Sequence, residues 1–168
     1  RALSAGPDSD GLEVRALACA AGYRTLFASL DLRVPRSRWM MLVGPNGSGK
    51  STLLRAIAGL ARPVAGEIRW RGEPRRAGSP EWRSACLYEG HASGWKDSLE
   101  AHENLALQAA LDGLDVDAQA IDAQLARVGL ERQARLPFVR LSAGQRRRLS
   151  LARLGLSRRP LWLLDEPG

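Results

Sequence analysis

The octet Gly44-Pro45-Asn46-Gly47-Ser48-Gly49-Lys50-Ser51 constrains this chain more than any other stretch. It satisfies the spacing GxxxxGK[ST]. It falls between an apolar run, "WMMLVG" at 39–44, and the helical pattern of Leu53, Leu54, Ile57 and Leu60. A strand, a glycine-rich turn and a helix start, in that order, make an anion site: the glycines let backbone N–H groups approach phosphate oxygens, and the helix N-terminus adds partial positive charge. The lysine is itself informative, because among 25 basic residues only Lys50 and Lys96 are lysines. A compact ammonium on a flexible stem can bridge phosphate oxygens inside a tight loop, where a planar guanidinium is broader. On this reading residues 44–52 bind a nucleotide and Lys50 serves catalysis. Ser51 ligates Mg²⁺ through its hydroxyl, and Thr52 supports the phosphates. The plain alternative is a strand-to-helix turn with an exposed lysine.

A length of 168 residues suits one domain with a real core, and 45% hydrophobic with 26% charged residues is the balance of a globular protein. No uncharged apolar run is long enough to cross a bilayer, and "RALSAGPDSDGLEVR" has no apolar signal core, so a chain facing the cytosol is expected. The chain begins at Arg1 and stops at Gly168 directly after an apolar segment, and a C-terminally truncated domain is therefore expected. Cys19 and Cys86 stand far apart, which predicts two buried thiols in a reducing compartment. The net charge of +7 would suit a polyanion partner, but the arginines are scattered and aromatics are only 5%, so a solvated basic surface is favoured.

Period-two alternation at Leu12, Val14, Ala16 and Ala18, at Leu30, Leu32 and Val34, and at Ile68 and Trp70 predicts half-buried antiparallel strands. "WMMLVG" and "LWLLDE" (161–166) are apolar without interruption, as expected of strands covered on both faces. Together they predict an α/β domain with a mixed sheet. Helical spacing continues at Ile121, Leu125 and Val128, and over 145–157 with Leu149, Ala152 and Leu156 on one stripe. Residues 100–129 carry no strand signal and read as a helical insertion.

"LWLLDEP" sets Asp165 and Glu166 at the C-terminal edge of a strand, the edge where open α/β sheets bind ligands. Asp165 fits a carboxylate on the Mg²⁺ side, and Glu166 a group that polarises the attacking water. Just upstream, "LSAGQRRRLSLARLGLSRRP" begins a helix at Ser142, where hydroxyl, backbone N–H and helix dipole can address a phosphate or simply cap the helix. These ordered motifs resemble those of ATP-binding cassette (ABC) ATPases, with Leu141, Ser142, Ala143, Gly144 and Gln145 standing for the signature motif.

The resemblance implies a P-loop NTPase fold over residues 1–168, with 1–90 and 140–168 as the core and about 91–140 as the helical subdomain. It further implies ATP and Mg²⁺ as cofactors, and a homodimer in which the signature of one subunit closes on the nucleotide of the other. His91 stands where most of the family carries glutamine. With "GWKDSLEAHENL" after it, this resembles the haem-exporter ATPases of c-type cytochrome biogenesis. That branch implies integral membrane permease subunits of a haem-handling complex as partners, a peripheral place on the cytoplasmic face of the inner membrane, and no direct nucleic acid. His91 either hydrogen bonds near the γ-phosphate or is a loop histidine without nucleotide contact. His102 reads as a surface residue. Tyr23 lies near the position of the family's adenine-stacking aromatic, though out of register with it. The family's dimer-contact loop and switch histidine lie beyond Gly168, which predicts ATP binding without efficient turnover. Two rival readings remain: an ABC ATPase acting on nucleic acid or ribosomes, and a regulatory nucleotide binder that does not hydrolyse.

Overall fold

In a computed structural model, which describes residues 10–90 and 94–165, the three alternating segments become neighbours in one antiparallel sheet. Strand β1 (Gly11–Ala21) lies between β2 (Arg24–Pro35) and β3 (Ala65–Trp70), and the short β4 (Glu73–Pro74) pairs with β3. The alternation expected along β1 breaks at Ala16. That residue has φ of 46°, the register shifts between Val14 and Leu17, and the buried set passes from Leu12 and Val14 to Leu17 and Cys19. One extra residue in a strand flips every later side chain to the other face. The Ala16 amide donates to Asp31 Oδ1 at 2.7 Å. Opposite the bulge, Gly66 has φ of 89°, and a Cβ there would stand 2.5 Å from Ala16 O. Only glycine fits both demands.

This sheet belongs to the first of two compact units, Arg1–Tyr88. Helix α1 (Lys50–Ala58) buries Leu53, Ala56 and Ile57 and stops at Gly59, whose N–H donates to Ala56 O at 3.1 Å. A second helix, α2 (Pro80–Ala85), is too short for a periodicity reading. Its start was nevertheless written in the sequence: Ser79 Oγ accepts from Trp82 N at 3.2 Å, and proline takes the first helical position. Residues 39–44 depart from expectation. They form no strand, and Trp39, Met41 and Val43 are exposed. An apolar run becomes a strand only where neighbours take its backbone hydrogen bonds, and among the described residues no strand is paired with it.

In the second unit, Glu89–Gly168, the end of β5 (Cys86–Glu89) enters a two-stranded sheet with β6 (Leu161–Leu164). Leu163 of β6 is buried, while Trp162 is 46% exposed, so β6 alternates rather than being covered on both faces. Helices α3 (Ala101–Leu111), α4 (Ala118–Arg127) and α5 (Ala143–Leu156) close on Leu105, Ile121, Leu125, Leu130 and Leu149, as their sequence stripes require. Each such side chain stabilises by about 1.5–3 kcal/mol when fully buried. Short 3₁₀ turns at Glu131–Gln133 and Phe138–Arg140 lead into α5. His102 is not the surface residue expected: its side chain is 12% exposed, with Nε2 3.5 Å from Asp122 Oδ1. Both thiols are buried, as predicted. Among the described residues no helix is long and apolar enough to cross a membrane.

Candidate nucleotide site

Gly49 joins the glycine-rich turn to α1. It has φ of 96°, and a Cβ there would meet the Phe27 ring at 3.1 Å and Leu26 Cβ at 3.3 Å, so the position needs a left-handed backbone and no side chain. Among the described residues no side chain caps the helix start and no acid occupies its first turn, so the start of α1 presents the positive end of its dipole. Lys50 Nζ donates to Gly44 O at 2.8 Å and to Pro45 O at 2.9 Å, drawing the ammonium back over the turn. An ammonium has three donors, and these bonds use two. Pro45, Asn46, Gly47, Ser48 and Ser51 are exposed, Thr52 is half-buried, and among the described residues nothing lies within 4 Å of where a Gly47 Cβ would stand. The turn is thus open to an incoming anion and favours one electrostatically. Tyr23 sits at the tip of the β1–β2 turn with its ring fully exposed.

The remaining predicted residues belong to the second unit. Asp165 directly follows β6, and its amide donates to Glu89 O at 2.8 Å, which fixes it beside the end of β5. Glu166 and His91 lie outside the described residues. At the start of α5, Ser142 Oγ accepts from Gln145 N at 3.2 Å while Gln145 Oε1 accepts from Ser142 N at 2.8 Å, a reciprocal capping box. Leu141, 3% exposed, anchors this corner in the core. Ser142, Ala143 and Gly144 are exposed, and among the described residues a Cβ at Gly144 would meet nothing within 4 Å. The Ser142 hydroxyl therefore serves the helix itself, and the open surface here is backbone.

Sequence reasoning missed the charged cluster behind that helix. Arg153 Nη1 donates to Glu89 Oε2 at 2.7 Å, its Nε and Nη2 donate to the two Asp112 oxygens at 3.2 Å, and Arg159 Nη2 lies 3.1 Å from Asp112 Oδ1. The side chains of Glu89, Asp112 and Arg153 are 8–11% exposed. One guanidinium so ties α5 to the C-terminal end of α3 and to the end of β5, two positions before His91. No local signal could have found it, since the partners are 41 and 64 residues from Arg153. Asn104 was missed as well. Fully buried, it bonds Lys96 N at 2.8 Å, Lys96 O at 2.9 Å and Leu99 O at 3.0 Å, and so fixes the loop before α3.

Among the described residues no three His, Cys, Asp or Glu side chains gather as a metal cage.

The ABC transporter family pattern matches residues 27–168. The chain belongs to the ABC transporter family. Within that family it is 46% identical to the cytochrome c biogenesis ATP-binding export protein CcmA of Pseudomonas aeruginosa, over 93% of this chain and 77% of the relative. It is 49% identical to the CcmA of Aromatoleum aromaticum, over 90% of this chain and 71% of the relative. An ABC transporter ATP-binding protein from Pyrococcus furiosus superposes with a TM-score of 0.82 at 25% identity, covering 94% of this chain and 76% of that one. The chain cbiO1 of Clostridium perfringens, part of the ABC transporter complex cbiONQ, gives a TM-score of 0.75 at 23% identity over 94% of this chain and 66% of its own. An ABC ATPase subunit binds ATP.

Proposed function

We propose that this chain is the ATPase subunit of an exporter serving c-type cytochrome biogenesis, with haem as the cargo of the complex. One observation carries the reading: identity with CcmA runs over 93% of the chain instead of being confined to the nucleotide motifs that all ABC ATPases share. In this reading residues 44–52 hold the ATP phosphates, with Lys50 neutralising charge as the terminal phosphate is lost. Ser51 and Asp165 hold Mg²⁺, which when bound screens the phosphate oxygens. Glu166 orients and polarises the attacking water, His91 contacts the γ-phosphate side, and Tyr23 stacks on adenine. Leu141 to Gln145 meet the ATP of a second copy in a homodimer, where the exposed backbone at Ala143 and Gly144 supplies amides.

Residues 1–90 and 140–168 form the catalytic core, and the segment at about 91–140 is the subdomain that engages integral membrane subunits. The protein works peripherally, on the cytoplasmic face of the inner membrane, without nucleic acid. The test is ATP hydrolysis by the complete gene product assembled with its membrane subunits, with and without haem-delivery partners. Turnover that rises with the membrane subunits and again with haem is expected. Turnover indifferent to both would overturn the exporter reading while leaving the ATPase intact.

A further inference from the structure

The first unit holds a pocket that the nucleotide chemistry does not use. It lies between the β3–β4 hairpin and α2, has a volume of about 420 Å³, and has Trp70, Glu73, Arg75, Arg76, Glu81 and Trp82 among its walls. That size falls within the range of small-molecule sites. Trp82 is 4% exposed, and its indole Nε1 donates to Ala58 O at 3.1 Å. Trp70 meets it edge-on, with centroids 6.3 Å apart.

Arg75 lies with its guanidinium 5.6 Å from the Trp82 ring centroid, and its amide donates to Ile68 O at 2.8 Å. Its Nε and Nη1 are buried and, among the described residues, have no hydrogen-bond partner. Buried donors of this kind cost free energy until something accepts from them. The surroundings answer the charge only in part. A Cβ on Gly59 would stand 2.9 Å from Nη1, so the cation lies at the negative end of α1 without a hydrogen bond from it. Burial holds the Arg75 guanidinium below its ordinary value, and a guanidinium so shifted is still a cation at neutral pH.

The charge count selects the ligand. Arg75 and Arg76 are balanced by Glu73 and Glu81, and hydrogen bonds from its own amide and from Ser79 hold the Glu81 carboxyl below its usual range, so it stays ionised. A phosphate dianion would meet two carboxylates. A singly charged anion meets half of that repulsion, against a guanidinium with two nitrogens that lack a partner among the described residues. We propose that this pocket binds a small monocarboxylate with a flat apolar body, its carboxylate on Arg75 and its body against Trp70 and Trp82.

The test follows the indole N–H resonances of the isotopically labelled full chain during titration with benzoate, with benzamide as its uncharged twin and inorganic phosphate as the competing anion. Benzoate should shift the Trp70 and Trp82 signals saturably, and neither benzamide nor phosphate should match it. Arg75→Gln should weaken benzoate by about tenfold or more, the loss of one hydrogen bond to a charged group. Glu73→Gln, at an exposed position that does not threaten folding, should tighten it severalfold. An equal response to benzamide, stronger binding of phosphate, or benzoate affinity unchanged in Glu73→Gln would each overturn the proposal. Unchanged affinity in a folded Arg75→Gln protein would overturn it as well.

Discussion

Lys50 illustrates how one side chain can be held ready by its own loop. Its two hydrogen bonds to Gly44 O and Pro45 O keep the ammonium over the turn, and in the proposed site an arriving phosphate would replace these neutral carbonyl acceptors by anionic oxygens. Lys50→Ala should therefore lower ATP affinity by at least about tenfold, since a hydrogen bond between charged groups contributes about 1.5–3 kcal/mol. A fluorescent ATP analogue titrated against both proteins checks this, and equal affinity would remove Lys50 from the site. Gly66→Ala belongs to the same scale. Its φ of 89° and the 2.5 Å approach to Ala16 O leave no room for a methyl group, and a loss of about 2–4 kcal/mol in denaturant unfolding is expected. Burial pushes the Cys19 thiol up. Its folded-state pKa lies above the unfolded one, so this contribution to stability is complete below the ordinary thiol range and is lost as pH rises through it. Unfolding free energy should fall faster above that range in the parent than in Cys19→Ala, and parallel curves would show that the thiol contributes nothing.

At the scale of elements, α5 is held at both ends by different means. Its start is capped by Ser142 and Gln145, and its last turns are fixed by Arg153 on Glu89 and Asp112. Arg153→Met leaves the Glu89 carboxylate buried without its partner, and removing one member of a buried pair costs about 3–5 kcal/mol. Adding Glu89→Leu to that variant should restore part of the loss, because two matched apolar groups do not strand a charge. Denaturant melts of the single and double variants check this, and strictly additive losses would mean that the pair is not coupled. Strand formation was legible where alternation met a ready neighbour, as along β2 and β3. It failed at 39–44, because hydropathy reports a wish to be buried and only partners can supply the ladder. The bulge at Ala16 escaped notice for a related reason: an alanine is neutral in any pattern, and what bends the strand there is Asp31 and Gly66 across the sheet.

At the scale of the whole molecule, the proposed function calls for two copies to meet. In that proposal each chain would bring the exposed turn at 45–48 and the exposed corner at 142–144, which belong to different units. If they serve one ATP between two copies, Glu166→Gln should bind Mg-ATP, lose hydrolysis and accumulate as a dimer. Light scattering with and without ATP measures the mass. A variant that stays monomeric with bound ATP, in the full-length protein, would sink the shared-site arrangement.

The division between chain and fold follows from range. The helix after the glycine-rich turn, with its glycine stop, and the capped start of α5 are built by residues adjacent in sequence, through backbone dihedrals, caps and short hydrogen bonds. They can therefore be read in one dimension. The Glu89–Arg153–Asp112 cluster, the face change at Ala16, the exposure of 39–44 and the unsatisfied Arg75 depend on groups brought together from distant positions. Desolvation and pairing energies belong to a place in space, and no spacing rule along the chain contains them.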